Sequence, residues 1–97
     1  MHSASYHLEH ATIRDTQRSP IHAVRIVDAL LTPLELDELA EQLRRKLSAR
    51  GEPLANIVII QGYNKETLQL HGDSYSVSRV RTAMFNAQMS WAALNLG

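Results

Sequence analysis

The chain has 97 residues, of which 44% are hydrophobic, and its ten basic and ten acidic residues leave no net charge. That length and hydrophobic share predict a single small domain over residues 1–97 with one modest core, and we expect residues 1–5 to be flexible. The chain has no cysteine, which excludes disulfides, thiolate metal sites and cysteine nucleophiles. A neutral chain also lacks the broad positive field that drives non-specific nucleic-acid binding.

No segment of the sequence predicts a membrane location. The longest strongly apolar run, residues 57–60, is far too short to span a bilayer. Residues 1–6 lack the charged start and the apolar stretch of a signal peptide. Together with the absence of cysteine, these features predict a cytoplasmic protein that makes no contact with a membrane.

The first 27 residues predict two strands. Residues 6–14 mix Tyr, Thr and Ile with polar side chains in no helical pattern, which favours an exposed edge strand. Residues 15–20 are rich in turn-forming types. Ile21–Val27 alternates imperfectly, with Val24 and Ile26 on one face. We expect the two strands to form a hairpin with a rather long loop.

The clearest element is an amphipathic helix over residues 32–50. Thr32 and Glu35 have the spacing of a capping box, and Pro33 occupies the first helical position, where its missing N–H costs nothing. Gly51 is placed to end the helix. Acidic residues crowd the first half and basic residues the second, which complements the helix dipole. The core-facing stripe consists of Leu36, Leu39, Ala40, Leu43 and Leu47.

The second half of the chain predicts two more strands and a helix. Residues 54–61 form the most strand-like run, and its apolar side chains on both faces indicate cover on both faces by a helix layer or a partner subunit. Residues 62–65 predict a turn and residues 67–70 a return strand. The last helix begins between Ser74 and Val77. Its apolar stripe consists of Val77, Val80, Met84, Ala87, Trp91 and Leu94.

The resulting ββαββα order predicts an α+β two-layer sandwich, in which a four-stranded, mostly antiparallel sheet carries both helices on one face. Two strand orders are compatible with it, 1-2-4-3 and 1-2-3-4. In the second order, strands two and three pair in parallel around a crossover helix. The apolar run at residues 57–60 favours a central third strand, and therefore the second order.

The start of the last helix offers the strongest candidates for ligand contact. Helix N-termini favour negative charge, and arginines and hydroxyl groups cluster near this one. They predict a phosphate, carboxylate or nucleic-acid contact, although a capped helix with solvated arginines explains the same pattern. The candidate residues are Lys65, Ser74, Ser76, Arg79 and Arg81.

The last helix and the third strand carry more apolar residues than one stripe requires. A helix that is apolar on more than one side is either deeply buried or in contact with a partner. Met and aromatic residues are common at interfaces. We therefore expect a homodimer or another protein partner. The candidate interface residues are Ile57, Ile59, Phe85, Met89 and Trp91.

Metal, cofactor and catalytic chemistry is not predicted. His7 and His10 point to opposite faces of a strand, and His10 faces His22 only if the hairpin register allows it. A phosphate-binding loop is missing, so we expect no nucleotide cofactor. The stretch from Gly72 through Asp73 to Ser74 is similar to the serine block of some hydrolases, but a capped strand-to-helix turn accounts for it, as for the nearby His71.

Three functional hypotheses follow from these patterns. The favoured one is a non-catalytic interaction or regulatory module that self-associates. The alternative is a small anion-binding or nucleic-acid-binding protein that uses residues 72–81. The least favoured is a small hydrolase-like enzyme.

Overall fold

A computed structural model describes residues 6–14, 20–53, 55–62 and 67–86. In chain order these residues form β1 (His7–Ile13), β2 (Ile21–Val27), α1 (Pro33–Ala49), β3 (Asn56–Gln61), β4 (Gln69–His71) and α2 (Ser74–Asn86). The predicted ββαββα order is therefore confirmed. Three members of the predicted α2 stripe, Ala87, Trp91 and Leu94, lie outside the described residues. Neither of the two described helices is long and apolar enough to cross a membrane.

The four strands form one mixed sheet in the order β1-β2-β3-β4. Strand β2 is antiparallel to β1 and parallel to β3, while β3 and β4 are antiparallel. This is the favoured strand order, with α1 as the crossover between the parallel pair. The apolar β3 is central, and the two edges are very unequal, since β1 has seven residues and β4 three.

The two helices cover opposite faces of the sheet, which corrects the expectation that they share one face. Side chains alternate along a strand, so Ile57 and Ile59 of β3 face one way while Val58 and Ile60 face the other. The first pair packs in a core cluster with leucines of α1, and the second pair packs in a separate cluster with Val80 of α2. The four-residue apolar run thus receives helical cover on both faces from its own chain.

The ends of α1 match the sequence prediction closely. Thr32 Oγ1 accepts a hydrogen bond from the Glu35 amide at 3.2 Å, and Glu35 Oε1 accepts one from the Thr32 amide at 2.8 Å. At the other end, Gly51 has φ +89°, a left-handed conformation that favours glycine. The Glu52 amide donates to the Leu47 carbonyl at 2.8 Å, which is the Schellman pattern. This reversal brings Glu52 back towards the sheet.

A buried amide side chain fastens the segment before α1 to the sheet. Gln61, at the end of β3, is 4% exposed. Its Oε1 accepts from the Leu31 amide at 2.8 Å, and its Nε2 donates to the Leu31 carbonyl at 3.2 Å and to Gln69 Oε1 at 3.0 Å. These bonds fix where α1 starts relative to β3.

Candidate functional site

The predicted anion site at the start of α2 is already occupied by a carboxylate of the chain itself. Asp73 Oδ1 accepts from the Ser76 amide at 2.9 Å, and Asp73 Oδ2 accepts from the Ser76 hydroxyl at 2.8 Å. These two bonds hold the pKa of Asp73 below its usual value of 3.8. Ser76 is fully buried. The helix terminus is thus capped internally, which disfavours a second anion there.

The other predicted anion-binding residues within the described ranges are not part of the lining of the cavity beside the start of α2. Ser74 and Arg81 are exposed and Arg79 is half-buried, while Lys65 lies outside the described residues. That cavity, of about 470 Å³, lies between α1 and the ends of β3 and β4. We call it the acidic cleft, because its charged lining is Asp37, Glu41, Asp73, Arg44 and His71. Three carboxylates against one arginine and one histidine do not suit an anion.

Two separate hydrogen-bonded pairs lie around the hydrolase-like stretch of residues 72–74. His71 Nε2 lies 3.1 Å from Asp37 Oδ1, and the Ser76 hydroxyl donates to Asp73. A serine nucleophile needs a histidine as its hydrogen-bond partner. In the described parts of the chain, His71 is bonded to Asp37 and the Ser76 hydroxyl to Asp73, while Ser74, the serine of the predicted pattern, is exposed at the start of α2.

The predicted interface residues divide between the core and the surface. Ile57 and Ile59 are 7% and 1% exposed beneath α1, so the structure places them in the core rather than on an open face. Phe85, near the end of α2, is 77% exposed. Met89 and Trp91 lie outside the described residues.

Two histidines and a glutamate form a hydrogen-bonded chain on the α1 face of the sheet. In the hairpin register, His10 is opposite Val24 and Thr12 is opposite His22, so the two histidines are diagonal neighbours on one face. His10 Nε2 lies 2.8 Å from His22 Nδ1, and the rings stack with centroids 4.9 Å apart. His22 Nε2 lies 2.9 Å from Glu52 Oε1. His22 is only 5% exposed, so both of its nitrogens are used inside the protein.

When both imidazole rings are neutral, the Glu52 carboxylate determines which ring nitrogens carry the protons. An ionised Glu52 only accepts, so His22 donates from Nε2 and its Nδ1 accepts from His10 Nε2. His10 is then left with Nδ1 as an acceptor. Loss of hydration lowers the pKa of His10 below 6.5, electrostatic interactions with His22 and Arg50 lower it further, and Glu52 opposes them. The neutral form of His10 is therefore more favoured than that of a free imidazole.

His10 and His22 line a groove between the sheet and the second half of α1. The groove has a volume of about 190 Å³. Its walls combine apolar side chains of β1, β2, β3 and α1 with the two imidazoles and two cations. We call it the imidazole groove, and its lining consists of Leu8, His10, His22, Val24, Leu43, Lys46, Leu47, Arg50 and Ile57.

Sequence reasoning found only part of this groove. The sequence leaves open whether His10 and His22 face each other across the hairpin; in the observed register His10 is opposite Val24, and the two histidines meet as diagonal neighbours. Lys46 and Arg50 flank Leu47 at helical spacing, a signal that could have assigned both to the edge of the buried stripe. Glu52 gave no signal, because its position depends on the reversal of the chain after α1.

Within the described ranges, no group of three or more His, Asp or Glu side chains is placed to hold a metal ion. Comparison of the chain with protein-family models, curated proteins and solved structures finds no significant match. The functional proposal therefore depends on the geometry of this chain.

Proposed function

We propose that this protein is a cytoplasmic, non-catalytic interaction module that forms a homodimer by antiparallel pairing of β1 with β1 of a second copy. The observation that carries the proposal is the open edge of the sheet at β1. This strand pairs with β2 over all seven residues and has no second neighbour among the described strands.

An edge strand of this kind is a template for another strand. One side of β1 presents backbone N–H and C=O groups that β2 does not use. Proteins commonly protect such edges with charged side chains, lysine above all, or with proline or a bulge. His7–Ile13 contains neither lysine nor proline, its charged residue Glu9 lies 3.5 Å from Arg25 of β2, and its register with β2 runs one to one without a bulge. Its first four residues are exposed.

The inequality of the two edges favours a second β1 as the partner strand. A head-to-tail contact between β1 and β4 would pair three residues at most, since β4 has only three. Pairing of β1 with β1 uses seven residues on each side and closes around a two-fold axis, which leaves no long edge open. The chain has no net charge, so the copies do not repel each other as whole molecules.

The full-length register is also compatible with the side chains. It places Glu9 opposite Ala11 of the second copy, so two carboxylates never face each other. His10 then faces His10 of the second copy. Its lowered pKa favours the neutral ring, which reduces like-charge repulsion in this central pair.

Sedimentation and amide hydrogen exchange test the dimer together. We expect the full chain to sediment as a dimer at high micromolar concentration, with continuous amide protection along β1. On dilution to monomer, every second β1 amide should lose its protection, because amides alternate between the β2 side and the free side. A strict monomer at high concentration, with alternating protection throughout, would refute the proposal.

Proline and alanine substitutions at residues 8 and 9 of β1 provide matched variants. Leu8 and Glu9 are consecutive, so the amide of one of them faces away from β2. Proline at that position, identified from the exchange pattern, should abolish the dimer and leave the monomer folded by circular dichroism. The controls Leu8→Ala and Glu9→Ala keep the amide and should still dimerise. Equal dimerisation of the outward-facing proline variant would exclude β1 as the interface.

A further inference from the structure

We propose that the imidazole groove binds a small aliphatic monocarboxylate, with the alkyl tail on its apolar floor and the carboxylate beside Lys46, Arg50 and His10. This site shares Leu8 and His10 with β1, but it uses their side chains rather than the strand's open backbone edge and does not depend on the proposed strand pairing. Each chain holds a groove of its own.

The size and lining of the groove suit a short alkyl chain. At about 190 Å³ it is smaller than the ~300–1,000 Å³ typical of sites for drug-sized ligands. Its floor is apolar, and burial of an alkyl chain there releases water from both surfaces. The floor residues come from three strands and one helix: Leu8, Val24, Leu43, Leu47 and Ile57.

The charges of α1 separate into a paired set and an unpaired set. Arg44 and Arg45 both lie within 4 Å of Glu41, at 3.4 and 3.6 Å, and stand outside the imidazole groove. Lys46 and Arg50 line the groove, and within the described residues neither has a carboxylate within 4 Å. The nearby Glu52 is bonded to His22. The groove therefore carries an excess of positive charge that one carboxylate complements.

His10 adds a polar group that responds to the ligand's charge. The groups facing it are His22 of β2, Arg50 and Lys46 at the end of α1, and Glu52 in the turn that follows. A carboxylate in the groove would oppose the electrostatic effects of His22 and Arg50 on the pKa of His10, which add to the larger lowering by loss of hydration. His10 then gains a proton at Nδ1 as the ligand binds. Affinity should therefore rise as the pH falls from 7.5 to 6.

Titration of the full chain with hexanoate tests this assignment. We expect saturable NMR shifts at Leu8, His10, Val24 and Leu47, with one site per chain. Acetate, which lacks the tail, and hexylamine, which reverses the charge, should bind at least tenfold more weakly. Calorimetry in two buffers of different ionisation enthalpy should show proton uptake at pH 7. Unsaturated or scattered shifts up to tens of millimolar hexanoate would overturn the assignment.

Neighbouring cations on one helix supply the matched variants. Arg50→Gln and Lys46→Gln should each weaken hexanoate binding about tenfold, equivalent to about 1.4 kcal/mol. Arg45→Gln removes the same charge from the adjacent position, outside the groove, and should leave the affinity within twofold. His10→Gln should remove the proton uptake. Equal weakening by Arg45→Gln, or binding of hexylamine as strong as that of hexanoate, would show that the groove is not the site.

Discussion

The two faces of the sheet are made by the same strands, yet they differ in what they bury. The face under α2 is apolar at its centre, where Ala23, Val58 and Ile60 are fully buried. The face under α1 has an apolar cluster too, but it also holds His22 and Gln61, which are 5% and 4% exposed.

The difference shows how stability and chemistry are divided in this fold. A buried polar group costs free energy unless its hydrogen bonds are made. Both polar side chains of the α1 face have partners, since His22 bonds to His10 and Glu52, and Gln61 bonds to Leu31 and Gln69. The strand side chains at the centre of the α2 face need no such partners and contribute through packing, and the buried polar side chain of α2 itself, Ser76, is bonded to Asp73. The hydrogen bonds of the α1 face therefore fix the positions of particular side chains and backbone groups, and the imidazole groove lies on this face.

The largest expected effect is on the α2 face. Ile60→Ala removes three carbons from a fully buried site between the sheet and α2, and should lower the free energy of unfolding by about 3–4 kcal/mol. Urea denaturation measures it. If the variant does not fold, Ile60→Val should still fold and lose about 1 kcal/mol. Hexanoate binding by Ile60→Val should be unchanged. A negligible loss in both variants would contradict the packing role of this face.

An intermediate effect on stability is expected at Gln61, the buried amide side chain that bonds to Leu31 on the α1 face. Gln61→Leu leaves the amide and carbonyl of Leu31 without their side-chain partner, and should cost about 2 kcal/mol. The control Gln69→Ala removes only the single bond to Gln61, on an exposed residue, and should cost less than about 1 kcal/mol. Equal losses in urea denaturation would mean that the bonds to Leu31 contribute no additional stability.

The smallest expected effect is the pH dependence that His10 contributes. Its pKa in the folded chain lies below 6.5, its usual value, so the unfolded chain binds more protons as the pH falls through 6.5. The unfolding free energy should therefore be higher above pH 6.5 and decrease below it. Urea midpoints at pH 7.5, 6.5 and 5.5 should fall less steeply in His10→Gln than in the original chain. Parallel slopes would contradict the assignment.

The elements that the sequence predicts best are those fixed by neighbours along the chain. Thr32, Pro33 and Glu35 predict the start of α1, and the observed helix runs over Pro33–Ala49 with both capping-box bonds formed. The run at residues 57–60 correctly predicts a central β3 and the order of the strands. The capping interactions of α1 span only a few residues, and the central place of β3 follows from the apolar composition of residues 57–60.

The candidate site was much harder to predict. The sequence predicts an anion contact at the start of α2 from Ser74, Ser76 and two arginines, but Asp73 caps that helix end. The imidazole groove combines residues of β1, β2, β3 and α1, with Glu52 behind His22, and only the hairpin register and the turn after α1 bring them together. Exposed Phe85 was proposed as an interface residue and stays a prediction.

The sequence by itself determined the six elements, their order, the apolar stripe of α1 and the part of the α2 stripe within residues 74–86, because capping, period and turn chemistry act within one or two turns of the chain. Only the tertiary structure decided which face of the sheet each helix covers. A stripe shows which side of a helix is apolar, but either face of an apolar strand such as β3 accepts it. The same long-range choice placed α1 over His10 and His22 and so created the groove.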